Sequence, residues 1–296
     1  MLRDVTCIVC RETEYAQIYK STFNGSAETA SDYFLSHRKR VAHGQIVRCD
    51  NCGFVYTSPQ FTPAEYDSIY QQAPKGPPDS HDLQEAGNIR FSRLAKMVQQ
   101  YVKPGPFLDL GCGTGGFLDV INDNRGLGFE VGQLGRRQSE KGHQIITGNF
   151  FDLQGQDPFT DEVFSFITAI DVFEHLPDLP RYLGRLRLLI RAEGHLVITV
   201  PNVNSVVAKL TGERWNMILL EHLWYFSPKT LRLIMERHGF KHVFTSSMPY
   251  EAPLSHVFNR FSQTYQMTQL KLPKWIGSFT IPVPIGLMAS VFRRVD

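Results

Sequence analysis

The chain has 296 residues, 42% of them hydrophobic and 20% charged, which allows one large domain or one domain with a small appendage. A formal charge of +2 excludes a global bias toward nucleic acid or an anionic membrane. The opening "MLRDVTCIVC" has no cationic segment followed by an apolar core, so no secretory signal is expected and the cytoplasm is the expected location.

Residues 1–60 hold two C-x2-C pairs, Cys7 with Cys10 in "CIVC" and Cys49 with Cys52 in "CDNCG". Without a secretory signal, paired thiols read as metal ligands rather than disulfides. Four thiolates fill a tetrahedral zinc and leave no open position, so the zinc expected here is structural. Gly53 suits the tight turn of a zinc knuckle, where positive φ is often needed. The 38 residues between the pairs exceed the usual ribbon spacing and include "SHRKRVAHGQIVR", in which Arg38, Lys39, Arg40 and Arg48 have no acid among them. Such a run is a solvated loop, or a holder of substrate phosphates or a nucleic-acid backbone. Few aromatics interleave with it, which gives single-strand stacking little support.

Residues 61–87 read as a linker or pocket segment, with "TPAEYDSIY" followed by the turn-rich "APKGPPDSHD". From Asn88, "NIRFSRLAKMVQQYV" places Ile89, Leu94, Met97, Val98 and Tyr101 on one helical face. A strand–turn–helix rhythm follows. Strands are predicted over 107–110, 126–131, 144–148, 163–170, 194–200 and 240–247, with a final one near 286–294. Helices are predicted over 115–124, 136–142, 178–191 and 228–238. Ser227 caps the last of these, Pro228 opens it and Gly239 follows its end. The alternation predicts an α/β fold over 88–296, with a parallel sheet covered on both faces. Within 250–285, "PLSHVFNRFSQTYQMTQLKLPKW" has helical apolar spacing and suits a lid or a partner helix equally. The 17 uncharged residues from Ile276 to Phe292 contain Pro282 and Pro284, and read as a buried loop and strand, with peripheral membrane contact as the alternative.

"FLDLGCGTGGF" follows a strand and opens a helix. Gly111, Gly113 and Gly116 satisfy G-x-G-x-x-G, and Glu130 stands 19 residues after Gly111, at the end of the next strand. The spacing fits a ribose-containing cofactor and leaves NAD and S-adenosylmethionine both open. Charge separates them. A nicotinamide dinucleotide presents an anionic pyrophosphate to this loop, whereas S-adenosylmethionine presents a sulfonium and an ammonium. Asp109 repels the first and suits the second.

In order, "DLGCGTGG", "GFE", "GNFFDL" and "AIDVFEHLPD" resemble the successive motifs of class I S-adenosylmethionine-dependent methyltransferases, across about 104–247. The resemblance implies a Rossmann-like seven-stranded sheet whose last strand runs antiparallel. It also implies that Asp109, Gly111, Cys112, Gly113 and Gly115 surround the methionine part and that Glu130 holds the ribose. Asn149 and Phe150 would border the adenine, although many relatives have aspartate where Asn149 stands. Asp171, ending the fourth strand, would face the transferred methyl group.

With the cysteine module and "CGFVYTSP" included, the chain from Cys7 to Phe240 resembles the bacterial sugar C-methyltransferases, which act on nucleotide-linked keto-sugars. The resemblance stops before their carboxy-terminal sugar-nucleotide domain. It implies that Glu221 and His222 of "ILLEHLWYFSP" abstract a proton beside the keto group. His175 of "FEHL" and Tyr70 of "EYDSIY", rather than Tyr66, would line the pocket. By residue chemistry alone, an ionisable pair in an apolar run is either a base in a dry place or a satisfied structural pair. The expected activity is methyl transfer to a small polar acceptor, with C-methylation of an activated sugar first and O- or N-methylation next. Rivals are an RNA or tRNA methyltransferase gripping nucleic acid through the zinc module, and a non-catalytic zinc-binding adaptor.

Overall fold

The computed structural model of the chain describes residues 2–34, 42–72, 81–113, 115–121, 125–131, 144–264 and 272–295, with only the backbone of 81–84, 260–264 and 274. The basic residues Arg38, Lys39 and Arg40, the helix predicted over 136–142 and residues 265–271 of the lid segment lie outside the described residues.

The amino-terminal sixty residues build strands β1 (Tyr15–Tyr19), β2 (Ile46–Cys49) and β3 (Val55–Thr57), with a short helix α1 (Ala27–Ala30) between the first two. Sequence periodicity did not predict this sheet, because its strands are three to five residues long and one member comes from far downstream. That member is β9 (Trp224–Tyr225), and the antiparallel order is β1-β2-β3-β9. The segment predicted as linker holds helix α2 (Pro63–Gln72) and the start of α3 (His81–Val98). A reciprocal cap starts α2. The Glu65 amide donates to Thr62 Oγ1 at 3.3 Å, the Thr62 amide donates to Glu65 Oε2 at 2.8 Å, and Pro63 occupies the first turn.

The larger sheet follows the predicted rhythm. Its early elements are β4 (Phe107–Leu110), helix α4 (Gly116–Ile121), β5 (Gly126–Glu130), β6 (Ile145–Thr147) and β7 (Phe164–Ile170). Helix α5 (Leu179–Leu189), β8 (Ile190–Pro201), α6 (Val206–Thr211) and α7 (Pro228–Arg237) come next. Then follow β10 (Phe240–Pro253), α8 (Leu254–Thr264), α9 (Lys274–Gly277) and β11 (Thr280–Arg294). The order is β10-β11-β8-β7-β4-β5-β6, and β11, the last strand in the chain, runs antiparallel to both neighbours. This is an α/β, Rossmann-like seven-stranded mixed sheet.

Alternate residues feed opposite faces, as the two-residue strand period requires. Phe107, Phe166, Val197 and Val291 pack with Leu94 and Val98 of α3 and Phe117 of α4. Leu108, Ile167, Leu196 and Ile198 pack with Leu183 and Leu186 of α5 and Ile234 of α7. The second core continues through Trp224 and Phe226 to Phe54, Tyr56 and the buried Cys7 and Cys49, so the cysteine segment shares its interior with the large sheet. The apolar 276–292 stretch becomes the end of α9 and most of β11, with Leu287 to Phe292 buried. No helix among the described residues is long and apolar enough to cross a membrane.

Candidate functional site

The carboxyl ends of four parallel strands open into one cavity of about 1070 Å³, contributed by Gly111 after β4, Glu130 of β5, Asp171 after β7 and Pro201 of β8. Loops beyond strand ends are where ligands bind in open α/β sheets. The volume lies just above the range of about 300–1,000 Å³ usual for a pocket holding one small ligand.

The glycine turn explains its own composition. Gly111 has φ +68, and a Cβ there would lie 2.6 Å from Val172 Cγ2. Gly113 at φ +53 and Gly115 at φ +72 continue the left-handed backbone that glycine tolerates best. The Gly113 amide donates to Glu130 Oε2 at 2.8 Å, so the acid ending β5 reaches back to the turn after β4. Burial pushes the Glu130 carboxyl upward and the Gly113 amide opposes it.

Asp109 sits behind this turn rather than in the cavity wall. It is 1% exposed, and Thr168 Oγ1 donates to its Oδ1 at 2.6 Å. Burial pushes its carboxyl up to about 7 against that hydrogen bond. The Cys112 thiol is also buried, within the apolar cluster that holds Phe117 and Leu118. Beyond β6, exposed Asn149 accepts the Phe151 amide at 2.9 Å through Oδ1, which closes a turn. Phe150 is buried, stacked on Tyr182 with centroids 5.5 Å apart.

Asp171, at φ +55, is fixed on both carboxylate oxygens. Arg90 of α3 donates to Oδ2 at 2.6 Å and Thr199 of β8 donates to Oδ1 at 2.7 Å. Neither partner was legible locally, because they lie 81 and 28 residues away in sequence.

The second wall is made by the three-residue turn Phe173–His175 and the segment entering β9. The Leu223 amide donates to the Glu174 carbonyl at 2.7 Å, and the Leu223 carbonyl accepts the Thr57 amide at 2.9 Å. Thr57 Oγ1 donates to the His222 carbonyl at 3.0 Å. Three distant pieces of chain are thus laced side by side. His175 Nδ1 donates to the Glu221 carbonyl at 3.0 Å and His222 Nδ1 to the Met217 carbonyl at 2.8 Å. The two imidazoles meet edge to face at 4.7 Å. Glu221 and His222 both line the cavity and are 6% and 5% exposed.

Helix α2 brings Tyr66, Asp67 and Tyr70 to the same cavity. The Tyr70 hydroxyl is buried with no hydrogen-bond partner among the described residues, and its ring stands edge-on to His175 at 6.5 Å. Burial, then Glu221, pushes its phenol well above the usual range, so it stays a donor. From β10, α8 and β11, Tyr250, His256, Val283 and Ile285 close the far side.

Glu174 was not singled out from the sequence. It is 1% exposed, its Oε2 has no hydrogen-bond partner among the described residues, and burial followed by Asp171 pushes its carboxyl well above the usual range. The signal was available, since a carboxylate beside a histidine in "VFEHL" is the same oddity as "LLEHL".

In the amino-terminal segment, the sulfurs of Cys7 and Cys52 lie 3.5 Å apart and those of Cys10 and Cys49 3.3 Å apart. All four lie within 4.8 Å of one another. Four sulfurs at about 2.3 Å from a tetrahedral zinc are about 3.8 Å apart, so the donor set fits that ion. Each pair ends in a left-handed residue, Arg11 at φ +68 and Gly53 at φ +75.

Residues 86–244, more than half of the chain, match the family described as methyltransferase domain. An uncharacterized protein of Methanocaldococcus jannaschii is 24% identical over 165 residues, covering 55% of this chain and 68% of that one. A ubiquinone biosynthesis O-methyltransferase of Rhodopseudomonas palustris is 25% identical over 177 residues, covering 55% and 68%. One of Bradyrhizobium sp. is 27% identical over 131 residues, covering 41% of this chain and 49% of that one. Among solved structures, a chain from the complex between the Haloferax volcanii Trm112 methyltransferase activator and a methyltransferase superposes with a TM-score of 0.51. It is 16% identical, over 72% of this chain and 93% of that chain, which is a likeness of fold. The cavity at the strand ends and the family match agree: the chain belongs to the methyltransferase domain family and is an S-adenosylmethionine-dependent methyltransferase.

Proposed function

We propose that this enzyme methylates a small polar acceptor at an atom that must first lose a proton, either a hydroxyl oxygen or a carbon beside a carbonyl. The observation that carries this reading is the convergence of Glu221, His222, His175 and Tyr70 on the cavity that also reaches Gly111, Glu130 and Asp171. Transfer from a sulfonium is an in-line displacement, so the protein has to align the acceptor and take up its proton.

In this reading the glycine turn, with Gly111, Cys112, Gly113 and Gly115, holds the methionine part through its backbone. Asp109 behind it supplies negative potential for the cationic donor. Glu130 exchanges its Gly113 amide for the ribose hydroxyls, Asn149 and Phe150 border the adenine, and Asp171 faces the methyl group. The Glu221–His222 pair receives the acceptor's proton, and Tyr70 donates to the acceptor's oxygen. The four cysteines hold a structural zinc that fixes β2 and β3, and through β9 the histidine wall.

C-methylation of a nucleotide-linked keto-sugar is supported by the resemblance of the cysteine segment and by α2, which lines the cavity from the amino-terminal side. O-methylation is supported by the names of the curated relatives. The test is incubation with methyl-labelled donor against panels of nucleotide keto-sugars and hydroxylated small molecules, with the label located in the product by NMR. A labelled C–CH₃ or O–CH₃ product that disappears in His222→Asn, with donor affinity within about twofold, is expected. Full turnover in that variant would refute the proton-acceptor assignment.

A further inference from the structure

We propose that Glu174, His175 and His222 form a divalent-metal site in the wall of the acceptor cavity, separate from the four-cysteine cluster. One carboxylate oxygen and one ring nitrogen from each histidine lie within 4.8 Å of one another. First-row divalent ions bind these donors at about 2.0–2.2 Å, which sets them about 3.4 Å apart in a tetrahedron, so a contraction of at most about 1.4 Å brings the three into one coordination sphere.

Two further observations point to an ion. The first is the tautomer of both rings. Each Nδ1 faces a backbone carbonyl, at 3.0 Å for His175 and 2.8 Å for His222, and a carbonyl only accepts. The proton of each neutral ring therefore sits on Nδ1 and the lone pair on Nε2, the arrangement that a second hydrogen bond imposes on metal-ligating histidines. The second is Glu174 itself, a carboxylate 1% exposed whose Oε2 has no hydrogen-bond partner among the described residues. A buried carboxylate without a partner costs several kcal/mol, and a cation removes that cost. Arg90, a buried cation whose charge acts on Glu174, is already committed to Asp171 at 2.6 Å.

Two imidazoles and one carboxylate suit the zinc, cobalt or nickel class better than magnesium or calcium, which prefer all-oxygen sets. Three protein ligands leave open positions facing the cavity. The role of the ion rests on the function proposed above and deepens it. With His222 committed to the ion, an acceptor oxygen binds the ion and the acceptor's proton passes to the Glu221 carboxylate. The acceptor's electron pair then forms the new bond to the methyl group. The sulfur keeps the pair of the broken S–C bond and leaves as a neutral thioether.

The test uses full-length protein loaded with one equivalent of zinc at the cysteines and titrated with Co²⁺, read by visible absorption and metal analysis. One further equivalent is expected, with cobalt d–d bands and no strong thiolate charge-transfer band. Glu174→Gln and His222→Gln should each weaken it by about tenfold or more, while one zinc per chain stays bound. Failure to bind a second equivalent, or unchanged affinity in both variants, overturns the site. If the second ion binds as described but no acceptor is ever methylated, the site stands and the functional reading falls. If methyl transfer runs at full rate with only the cysteine zinc present, the catalytic role of the ion falls.

Discussion

Replacing Asp109 by asparagine tests how the fold bears a carboxylate buried behind the glycine turn. Asp109 is 1% exposed on β4, and burial pushes its carboxyl from an ordinary 3.8 up to about 7. The gap is about 3 pH units, and at ~1.4 kcal/mol per unit the ionised form costs the empty fold about 4 kcal/mol. The sign follows from the raised value. The stability that the proton confers is fully present below about pH 4, declines as pH rises, and is gone above about pH 7. Asparagine keeps an oxygen for Thr168 but adds a buried amide donor, whose loss of hydration costs ~1–3 kcal/mol. Asp109→Asn is therefore expected to be more stable than wild type by ~1–3 kcal/mol at pH 8, with little or no gain at pH 5. Urea unfolding at the two pH values, without donor, reads this directly. Equal pH dependence in the two proteins, or a less stable variant at pH 8, would refute the buried-charge reasoning.

Other consequences are as specific. Tyr70→Phe removes a buried hydroxyl with no hydrogen-bond partner among the described residues and is expected to raise stability by up to ~1 kcal/mol while lowering turnover, checked by thermal melts beside initial rates. Arg11→Gly relieves a left-handed arginine in the first cysteine knuckle, with an expected gain of ~1 kcal/mol in chemical denaturation; Gly53→Ala at the matching position should lose a similar amount. Removing the zinc proposed at the four cysteines by chelation, or Cys49→Ser, should unlace β3 from β9, so that acceptor turnover falls more than adenosylhomocysteine affinity, measured by calorimetry.

The parallel half of the large sheet was legible because β4, β5 and β7 are short apolar runs ending at turns, and the glycine turn marked the first crossover. Paired carbonyls, rather than side-chain periodicity, set the rest. The amino-terminal sheet is completed by Trp224 and Tyr225, and no local pattern in residues 1–60 announces a partner so far downstream. The side chains fixing Asp171 were hidden for the same reason, since Arg90 sits on α3 beside ordinary helical neighbours. Adjacency of Glu221 and His222 suggested a site, but not that the His175 ring, 47 residues earlier in sequence, meets His222 edge to face at 4.7 Å.

The strand-end cradle is the proposed donor site, and calorimetric titration of adenosylhomocysteine into wild type and Glu130→Ala tests that most directly. One molecule bound per chain, with affinity lost by about tenfold or more in the variant, is the predicted result. Absence of binding to wild type, or equal binding by both proteins, would contradict it.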